Sequence, residues 1–550
     1  MTSALAEPQL VLKELAPGVL LHEGADTDKA RLVLSDEAIQ LVATLHRELQ
    51  GERKALLAKR EERQAAWDAG DVPTYLDPQA EAAAGDWKVA EVPADMRRRR
   101  IEITGPVNDT KMVIKMLSRN EHGDRADAAM VDFEDSMKPS WTNIIDGVLN
   151  VIGASKGDLT FTKAAANGKP ARHYALDPAD MAKLMVRVRG LHLDEANLVI
   201  DDEPVAGGLL DFALVLCHTG RLLAEKGETP AFYVPKVEHP EEARWWNRLF
   251  VLAQEAIGLE RGTLRATFLM ETLPAAFWME EILFEIREHA AGLNVGRWDK
   301  IFSDIKVLRN HPDRVLADRA SISLNRPWMK NYALRLIKIC HTRGAYAIGG
   351  MAAFTPGKTA ELRQHQTSKV LADKKLEFEL GHDGAWVSHP YFIGPALSAF
   401  PKDQQLDVQL EDFDKYPELL PEGGGPRTLE GLRTNVRVGI AYLEGWKRDL
   451  GCVAWDDLME DLATLEISRA QIWQWLRHNV RLDDGTRVDR ELLERLFAEE
   501  LDRIHAEIDE STGTKAPAIR ERFTAACADA REIFLEKEFR PFLALTSELA

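Results

Sequence analysis

Short apolar runs alternate with longer amphipathic stretches between about residues 96 and 404. Eight of the runs have the length and composition of buried strands, and they cover residues 101–104, 129–133, 184–188, 231–234, 266–269, 291–295, 345–348 and 385–388. Most are separated by helical patterns, such as residues 241–259 and 358–380. This alternation predicts a parallel sheet, because parallel strands need long crossovers. Eight strands favour a (β/α)8 barrel, and the alternative is a doubly wound open sheet.

The sixth strand has a second candidate position, at residues 299–303. Gly296 favours the earlier run, because a glycine there is typical of a break that ends a strand. We therefore predict the sixth strand at residues 291–295.

The two regions that flank the middle of the chain have helical patterns. Residues 1–95 are charged and largely helical, and residues 405–550 are helical after a Gly- and Pro-rich loop. In the last region an apolar stripe at helical spacing predicts core packing; it consists of Leu493, Phe497, Leu501, Ile504 and Ile508. The sequence thus predicts three domains, at residues 1–95, 96–404 and 405–550.

Composition and charge restrict the class of protein. A chain of 550 residues with 45% hydrophobic and 29% charged residues is ordinary globular material for two or three domains. The formal net charge of −19 argues against sequence-independent nucleic-acid binding, which needs clustered Lys and Arg. The densest basic run, residues 97–100, is either a solvated patch at a domain edge or a contact with the phosphates of a ligand such as coenzyme A.

The sequence also predicts a cytoplasmic protein without a membrane anchor. The four cysteines lie far apart with no CxxC spacing, which is typical of reduced thiols. Residues 1–8 lack the basic head and apolar run of a signal peptide, and residues 547–550 do not match the peroxisomal Ser-Lys-Leu address. We identify no stretch of the ~20 apolar residues that a membrane-spanning helix needs.

Polar residues follow six of the eight predicted strands. They are Glu134, Asp135 and Ser136, then Arg187 and Arg189, Lys236, Glu271 and Thr272, the segment from Arg297 to Asp299, and Ser388 and His389. Barrel enzymes build their active sites at the carboxyl ends of the strands. We therefore expect these side chains to converge on one mouth, although any single one could form a structural salt bridge.

Glu271 and Asp299 are the candidate metal ligands. Their separation is about one strand-helix repeat, so they are expected on neighbouring strand ends. Two carboxylates without His or Cys suit Mg²⁺ better than Zn²⁺. A general acid/base pair and plain surface acids are the alternatives.

Arg187 and Arg189 are two apart on a predicted strand, so both are expected to face the same side. Such an Arg could clamp a carboxylate or stabilise an oxyanion, or both could form buried ion pairs with Asp132 and Glu134. Asp461 ends an acidic stretch before a predicted helix that we expect to start with a capping box at Ser468. Favourable interaction with the helix dipole is the ordinary role of such acids, and a catalytic role for Asp461 is the alternative.

Six segments together resemble one family. They are VDFEDS at residues 131–136, VRVRGLH at 186–192, ETLPA at 271–275, GLNVGRWDKIFS at 292–303, GGMAA at 349–353 and LMED at 458–461. The longest is similar to the motif by which A-type malate synthases are recognised. The matches run in family order from about residue 100 to 480.

The resemblance implies a (β/α)8 barrel with an N-terminal helical clasp and a C-terminal helical plug over its mouth. It implies that Mg²⁺ is held by Glu271 and Asp299 and that glyoxylate is bound by Gly296, Arg297, Trp298 and Asp299. It further implies Arg187 as the catalytic arginine, Asp461 as the catalytic base, and Pro356 and Cys452 beside acetyl-CoA. The expected reaction joins acetyl-CoA to glyoxylate and hydrolyses the thioester. A malyl-CoA or citryl-CoA lyase and an inactive scaffold homologue are the alternatives.

Overall fold

The computed structural model describes residues 11–165, 170–513 and 516–550. Residues 1–8, on which the expected absence of a signal peptide depends, lie outside the described residues.

Eight parallel strands form a closed barrel in the middle of the chain. They are β1 (Ile101–Pro106), β2 (Ala128–Asp132), β3 (Lys183–Arg187), β4 (Ala231–Val234), β5 (Arg265–Leu269), β6 (Ala290–Asn294), β7 (Tyr346–Ala352) and β8 (Gly384–Val387). Each strand pairs with the next in the sequence, and β8 pairs with β1 to close the ring. All eight predicted strands are confirmed, and the doubly wound alternative is wrong. The second candidate for the sixth strand is also wrong, because residues 299–303 lie in the helix Arg297–Val307.

Helices surround the barrel and bury the outer faces of the strands, which explains why the strand sequences are almost wholly apolar. The larger of these helices are Thr110–Leu117, Trp141–Lys156, Gly207–Glu225, Pro240–Ala256, Leu273–Glu285, Arg297–Val307, Pro327–Arg343, Ala360–Leu380 and Ile393–Ala399. Gly207–Glu225 is long and apolar enough to cross a membrane, a stretch that the sequence analysis did not identify. Since 78% of its apolar window is buried within the protein, it has the character of a core helix.

The N-terminal region contains strands as well as the predicted helices. The helices are Asp28–Val33, Asp36–Asp68 and Glu81–Ala84. The strand Val19–His22 pairs with Leu12–Ala16 on one side and with Asp194–Ile200 on the other. Glu203–Ala206 pairs with Asp194–Ile200 to complete a four-stranded sheet, whose last two strands follow β3. A second insertion, between β2 and β3, forms the hairpin Thr160–Lys163 and Arg172–Ala175.

The C-terminal region is a helical bundle with a hydrophobic core separate from that of the barrel. Its helices are Leu429–Lys447, Leu462–Arg477, Arg490–Thr512 and Ala516–Phe534, and its hairpin pairs Val453–Trp455 with Leu458–Glu460. Leu493, Phe497, Ile504 and Ile508 of the predicted stripe are buried in this core, and Leu501 packs against it. The helix expected to start at Ser468 starts at Leu462 instead, because Asp461 supplies the N-cap.

Backbone hydrogen bonds join the C-terminal region to loops at the mouth of the barrel. Met459 N donates to Ala353 O at 2.8 Å, just beyond β7, and Leu462 N donates to Asp135 O at 3.2 Å, just beyond β2. These two bonds bracket Asp461 and hold it over the carboxyl ends of the barrel strands.

The basic run at residues 97–100 lies at the opposite end of the barrel, immediately before β1. Arg99 is fully buried and pairs with Glu102 at 2.6 Å, while Arg98 and Arg100 both pair with Asp127. These contacts favour a structural role over a contact with a phosphorylated ligand at the mouth.

Candidate active site

Arg187, the last residue of β3, is locked against the end of β2. Its Nε and Nη2 donate to the two carboxylate oxygens of Asp132 at 2.7 and 2.6 Å, and its Nη1 lies 3.4 Å from Glu134 Oε2. Burial alone would raise the pKa of Asp132, but Arg187 outweighs it and holds that pKa below its usual value. These two parallel hydrogen bonds fix the plane of the guanidinium group and leave part of it facing the mouth of the barrel.

Lys236, just after β4, is the centre of the charged cluster. Its Nζ lies 2.8 Å from Glu134 Oε1, 2.7 Å from Asp135 Oδ2 and 3.3 Å from Asp299 Oδ1. The backbone at Lys236 is left-handed, with φ of 52°, a conformation that costs free energy in a residue other than glycine. Sequence reasoning noted Lys236 only as one polar strand end and gave it no role; the polar residue after an apolar strand was the available signal.

Glu271 and Asp299 lie side by side beyond β5 and β6, and both are buried. Glu271 Oε1 accepts a hydrogen bond from Lys236 N at 2.9 Å, whereas Glu271 Oε2 and Asp299 Oδ1 are buried and accept none. Burial first, and then repulsion from Glu271 and other carboxylates, raises the pKa of Asp299 well above its usual range.

A cation fits these two oxygens, because Glu271 Oε2 and Asp299 Oδ1 accept no hydrogen bond and only Asp299 Oδ1 has an ion-pair partner, the Lys236 ammonium. The cluster formed by Asp132, Glu134, Asp135, Glu271 and Asp299 has five carboxylates against the two cations Arg187 and Lys236. No group of three or more His, Cys, Asp or Glu residues with ligand geometry occurs among the described residues. Two carboxylates with water and an oxygen-rich substrate are nevertheless the usual set for Mg²⁺, which keeps several waters.

Asp461 faces this cluster from the C-terminal bundle. It is the N-cap of the helix Leu462–Arg477, and Asp461 Oδ1 accepts from Thr464 N at 3.3 Å within a capping box. Burial, followed by repulsion from Asp135, raises the pKa of Asp461 to about 7. A carboxyl group that titrates near neutral pH can take and return a proton under working conditions.

A large cleft opens beside the mouth on the side of β1 and β8. Its volume is about 1080 Å³, and its lining includes Thr104, Pro356, Ser388 and Met459. Met459 precedes Asp461 by two residues, so the inner end of the cleft reaches the neighbourhood of that carboxyl group. The cationic lining residues are Lys111, Lys115, Arg119, Arg172 and Arg363, against one acidic residue, Glu121.

Comparison with known proteins gives one family over nearly the whole chain. Family models match the malate synthase N-terminal domain at residues 25–81, the malate synthase TIM barrel domain at residues 183–417 and the malate synthase C-terminal region at residues 426–548. A malate synthase of Myxococcus xanthus is 43% identical over 98% of this chain and 97% of its own length. Malate synthase A of Escherichia coli is 41% identical over 94% of this chain and 95% of its own, and an Arabidopsis thaliana malate synthase is 42% identical over 92% and 91%.

The chain belongs to the malate synthase family. It is therefore an enzyme of the acyltransferase class, and the family resemblance, the barrel and the function expected from the sequence are confirmed.

The structure brings the expected residues Arg187, Glu271 and Asp299 together around Lys236. Asp461 lies close enough to Asp135 and Arg187 to feel their charges. Gly296 adjoins the cluster as the N-cap of the helix Arg297–Val307, which points its first backbone N–H groups towards the same region.

Three other expected residues lie differently. Arg189 follows the end of β3 and pairs with Asp211 and Glu195, each at 2.8 Å, so the expectation that it shares a face with Arg187 is wrong. The guanidinium of Arg297 pairs with Asp373 at 2.8 Å and donates to Met351 O at 3.0 Å. The ring of Trp298 lies under the guanidinium of Arg319.

Pro356 and Cys452 lie on either side of the junction between the barrel and the bundle. Pro356 lines the large cleft, and Cys452 lines a separate cavity of about 370 Å³ in the bundle. Burial, followed by the charge of Asp461, raises the pKa of Cys452 to about 12. The thiol is therefore protonated and weakly reactive at neutral pH.

On the expectation that Glu271 is a ligand of Mg²⁺, Gly296→Ala should weaken Mg²⁺ binding about tenfold or more. A Cβ at this position would lie 2.5 Å from Glu271 Cβ and 2.7 Å from Glu271 Oε2, so the carboxylate must move. Calorimetric titration with Mg²⁺ measures the change. Gly424→Ala is the matched control, because a Cβ there meets nothing within 4 Å. Equal affinity in both variants would contradict the assignment of Glu271 as a ligand.

Proposed function

We propose that this enzyme condenses acetyl-CoA with glyoxylate and hydrolyses the thioester to malate and coenzyme A, using Mg²⁺ held by Glu271 and Asp299. The observation that carries the proposal is the position of Asp461. It is a half-buried carboxyl group with a pKa of about 7, on a separate bundle, opposite Arg187 and the carboxylate cluster of the barrel. Deprotonation of a thioester needs such a base facing such a cation.

Glu271 and Asp299 fit a hard divalent cation because Glu271 Oε2 and Asp299 Oδ1 are buried oxygens that accept no hydrogen bond. Bound Mg²⁺ would polarise the glyoxylate aldehyde and orient it for attack. The N–H groups that start the helix Arg297–Val307 suit the glyoxylate carboxylate. The side chain of Arg297 is engaged by Asp373, so the backbone of Arg297 is the part we assign to glyoxylate.

Asp461 and Arg187 divide the work on acetyl-CoA. The methyl protons of the thioester are very weakly acidic, so their removal needs stabilisation of the enolate as it forms. Asp461 accepts the proton, and Arg187 stabilises the negative charge on the thioester oxygen. The enolate carbon adds to the aldehyde carbon, and water then cleaves the thioester. The bidentate pair with Asp132 keeps Arg187 from reorienting during this sequence.

The large cleft suits acetyl-CoA. Its volume of about 1080 Å³ is that of a site for a large ligand, and it leads from solvent to Met459 beside the base. Lys111, Lys115, Arg172 and Arg363 have no ion-pair partner within the described ranges. Free cations in a protein of net charge −19 fit the phosphates of coenzyme A.

We expect the double variant Lys111→Ala, Arg172→Ala to raise the KM for acetyl-CoA about tenfold. The glyoxylate KM and kcat should change little, because neither side chain reaches the carboxylate cluster. Steady-state kinetics at two salt concentrations measures the effect, which should shrink at high salt. Lys54→Ala is the control, since Lys54 is an exposed partner of Glu203 on the N-terminal side. A rise in the glyoxylate KM instead would refute this assignment of the cleft.

We also propose the division into residues 1–95 as a clasp, 96–404 as the barrel with the metal and glyoxylate site, and 405–550 as the plug with the base. The partners are small molecules, with no nucleic acid and no membrane, and we propose a cytoplasmic location. The large negative net charge supports the exclusion of nucleic acid.

The test is release of free thiol from acetyl-CoA in the presence of glyoxylate, with Mg²⁺ and with excess chelator. The proposal expects metal-dependent release that stops when the metal is removed and returns when Mg²⁺ is restored. A malyl-CoA or citryl-CoA lyase would leave the thioester intact, and an inactive homologue would bind acetyl-CoA without release. Either outcome in folded protein would overturn the proposed function.

A further inference from the structure

The last segment of the chain crosses from the bundle to the barrel. After the helix Ala516–Phe534, residues 535–550, here called the C-terminal strap, run without regular secondary structure to the four-stranded sheet. There Asp194 N donates to Leu545 O and Ser547 N donates to Asp194 O, both at 2.9 Å. The strap thus connects the part of the protein that contains Asp461 with the sheet that follows β3.

Asn197 and Glu195 secure the far end of the strap. Asn197 Nδ2 donates to Glu548 O at 2.9 Å and Asn197 Oδ1 accepts from Ala550 N at 2.8 Å. Ser547 Oγ donates to Glu195 Oε1 at 2.6 Å. Both Asn197 and Glu195 are fully buried, so these bonds are shielded from water and hold the strap at a defined register.

Phe542 is the side chain that the strap inserts at the mouth. Its ring stacks on His192 at 4.1 Å between centroids, lies 5.8 Å from Phe302 and lies 4.4 Å below the Lys306 ammonium. Only 8% of Phe542 is exposed, although it belongs to a segment without regular structure. An irregular segment that buries an aromatic ring this completely has a defined seat for it.

Phe542 lines two small cavities that are also bordered by residues of the charged cluster. One, of about 10 Å³, is also lined by Lys236, Glu271 and Asp299. The other, of about 20 Å³, is also lined by Glu134 and Asp135. Each has room for about one water molecule. Phe542 and Lys236 are the two residues that line both cavities, so the ring borders the carboxylate cluster at a place separate from the large cleft.

The strap also contacts the helix that is capped by Asp461. Leu543 N donates to Glu466 Oε1 at 2.8 Å, and Glu466 lies in the second turn of the helix Leu462–Arg477. Glu466 in turn pairs with Arg469, whose guanidinium lies over the rings of Phe302 and Phe539. The strap thus contacts the carboxylate cluster through Phe542 and the helix capped by Asp461 through Leu543.

We propose that Phe542 is a positioning residue, which closes the metal side of the active site against water and, through Leu543, fixes the helix of the base over the barrel. The proposal rests on the proposed function for its kinetic consequences. Water exclusion strengthens the interactions of Arg187, Lys236 and the carboxylates, because charges interact more strongly at low dielectric. The acetyl-CoA cleft opens on the other side and is unaffected.

The test compares Phe542→Ala with Leu545→Ala, a truncation three residues later in the strap. The side chain of Leu545 is 48% exposed and lines neither of the two small cavities. For Phe542→Ala we expect kcat to fall about tenfold and the glyoxylate KM and Mg²⁺ dissociation constant to rise, with the acetyl-CoA KM unchanged. Phe542→Leu, which refills the space of the ring, should recover most of the loss, and Leu545→Ala should resemble the unmodified protein.

Hydrogen–deuterium exchange provides a readout that does not need turnover. In Phe542→Ala the amides of residues 271–273 and 462–466 should exchange faster than in the unmodified protein, and in Leu545→Ala they should not. Kinetics and exchange unchanged in Phe542→Ala would overturn the proposal while leaving the proposed function intact. If the unmodified protein released no thiol, the proposed function would fail, and exchange would still decide whether Phe542 closes this side. Equal losses in both variants would also refute it, because they would indicate a general loosening of the strap.

Discussion

Asp461→Asn is expected to lower kcat by about 10³-fold or more while leaving the fold and the KM for both substrates nearly unchanged. Asp461 is the proposed proton acceptor, and it is also the N-cap of the helix Leu462–Arg477. Asn caps a helix about as well as Asp, so the substitution removes the base and keeps the cap. Steady-state kinetics, with circular dichroism to verify folding, measures the effect.

Asp456→Asn is the matched control for this substitution. Asp456 lies in the hairpin just before Asp461 but is exposed and pairs with Arg437 at 3.0 Å.

In the unmodified protein kcat should rise with pH and level off above about 7, because the base acts only when its carboxyl group is ionised. Near-normal turnover in folded Asp461→Asn, or a kcat independent of pH between 5 and 9, would contradict the assigned role.

Arg187→Lys is expected to lower kcat by about 10²- to 10³-fold, the size of the loss when one donor to a developing oxyanion is removed. Lysine keeps the positive charge but cannot form the fork that holds Arg187 to both oxygens of Asp132. The lysine ammonium has no fixed direction of hydrogen bonding, so its positive charge alone does not replace the guanidinium group of Arg187. The measurement is kcat and KM for both substrates in the variant and the unmodified protein.

Arg189→Lys is the control two residues away. Arg189 is equally buried, but it pairs with Asp211 and Glu195 outside the mouth. That variant should lose stability, because a buried network is disturbed, yet retain kcat per folded molecule. A smaller loss of kcat in Arg187→Lys than in Arg189→Lys would contradict the assignment of the oxyanion role to Arg187.

The barrel could be predicted because its strands are buried on both faces and therefore appear as short apolar runs between helical patterns. The pair Leu12–Ala16 and Val19–His22 could not, because it is stabilised by pairing with residues 194–206, far away in the sequence. The same pairing connects the N-terminal region to the segment after β3, a relation that no local pattern contains.

For the active site, spacing predicted that Glu271 and Asp299 lie on neighbouring strand ends but left a metal site, an acid/base pair and surface acids open. Alternation could not separate Arg187 from Arg189, because β3 ends at Arg187 and the alternation of faces ends with it. Asp461 could not be chosen from local sequence, because an acid before a helix is usually a cap, and Asp461 is also a cap. The motif had to supply that role.

For Arg297 the motif gave the residue but not the direction of its side chain. The motif selected it for glyoxylate, but its guanidinium pairs with Asp373 in the helix that follows β7. Phe542 has no polar group and no motif around it, and only the path of the strap brings its ring beside Asp299. Direction of a side chain and contacts between distant segments are the properties that the sequence did not contain.

The most direct test of a condensation driven by Asp461 and Arg187 uses acetyl-CoA with a fully deuterated methyl group, together with glyoxylate and Mg²⁺. Removal of one deuteron by the base and carbon–carbon bond formation predict malate that retains two deuterons, with one free coenzyme A per malate, as measured by mass spectrometry and thiol titration. Malyl-CoA that accumulates without free coenzyme A, or free coenzyme A without malate, would contradict the account.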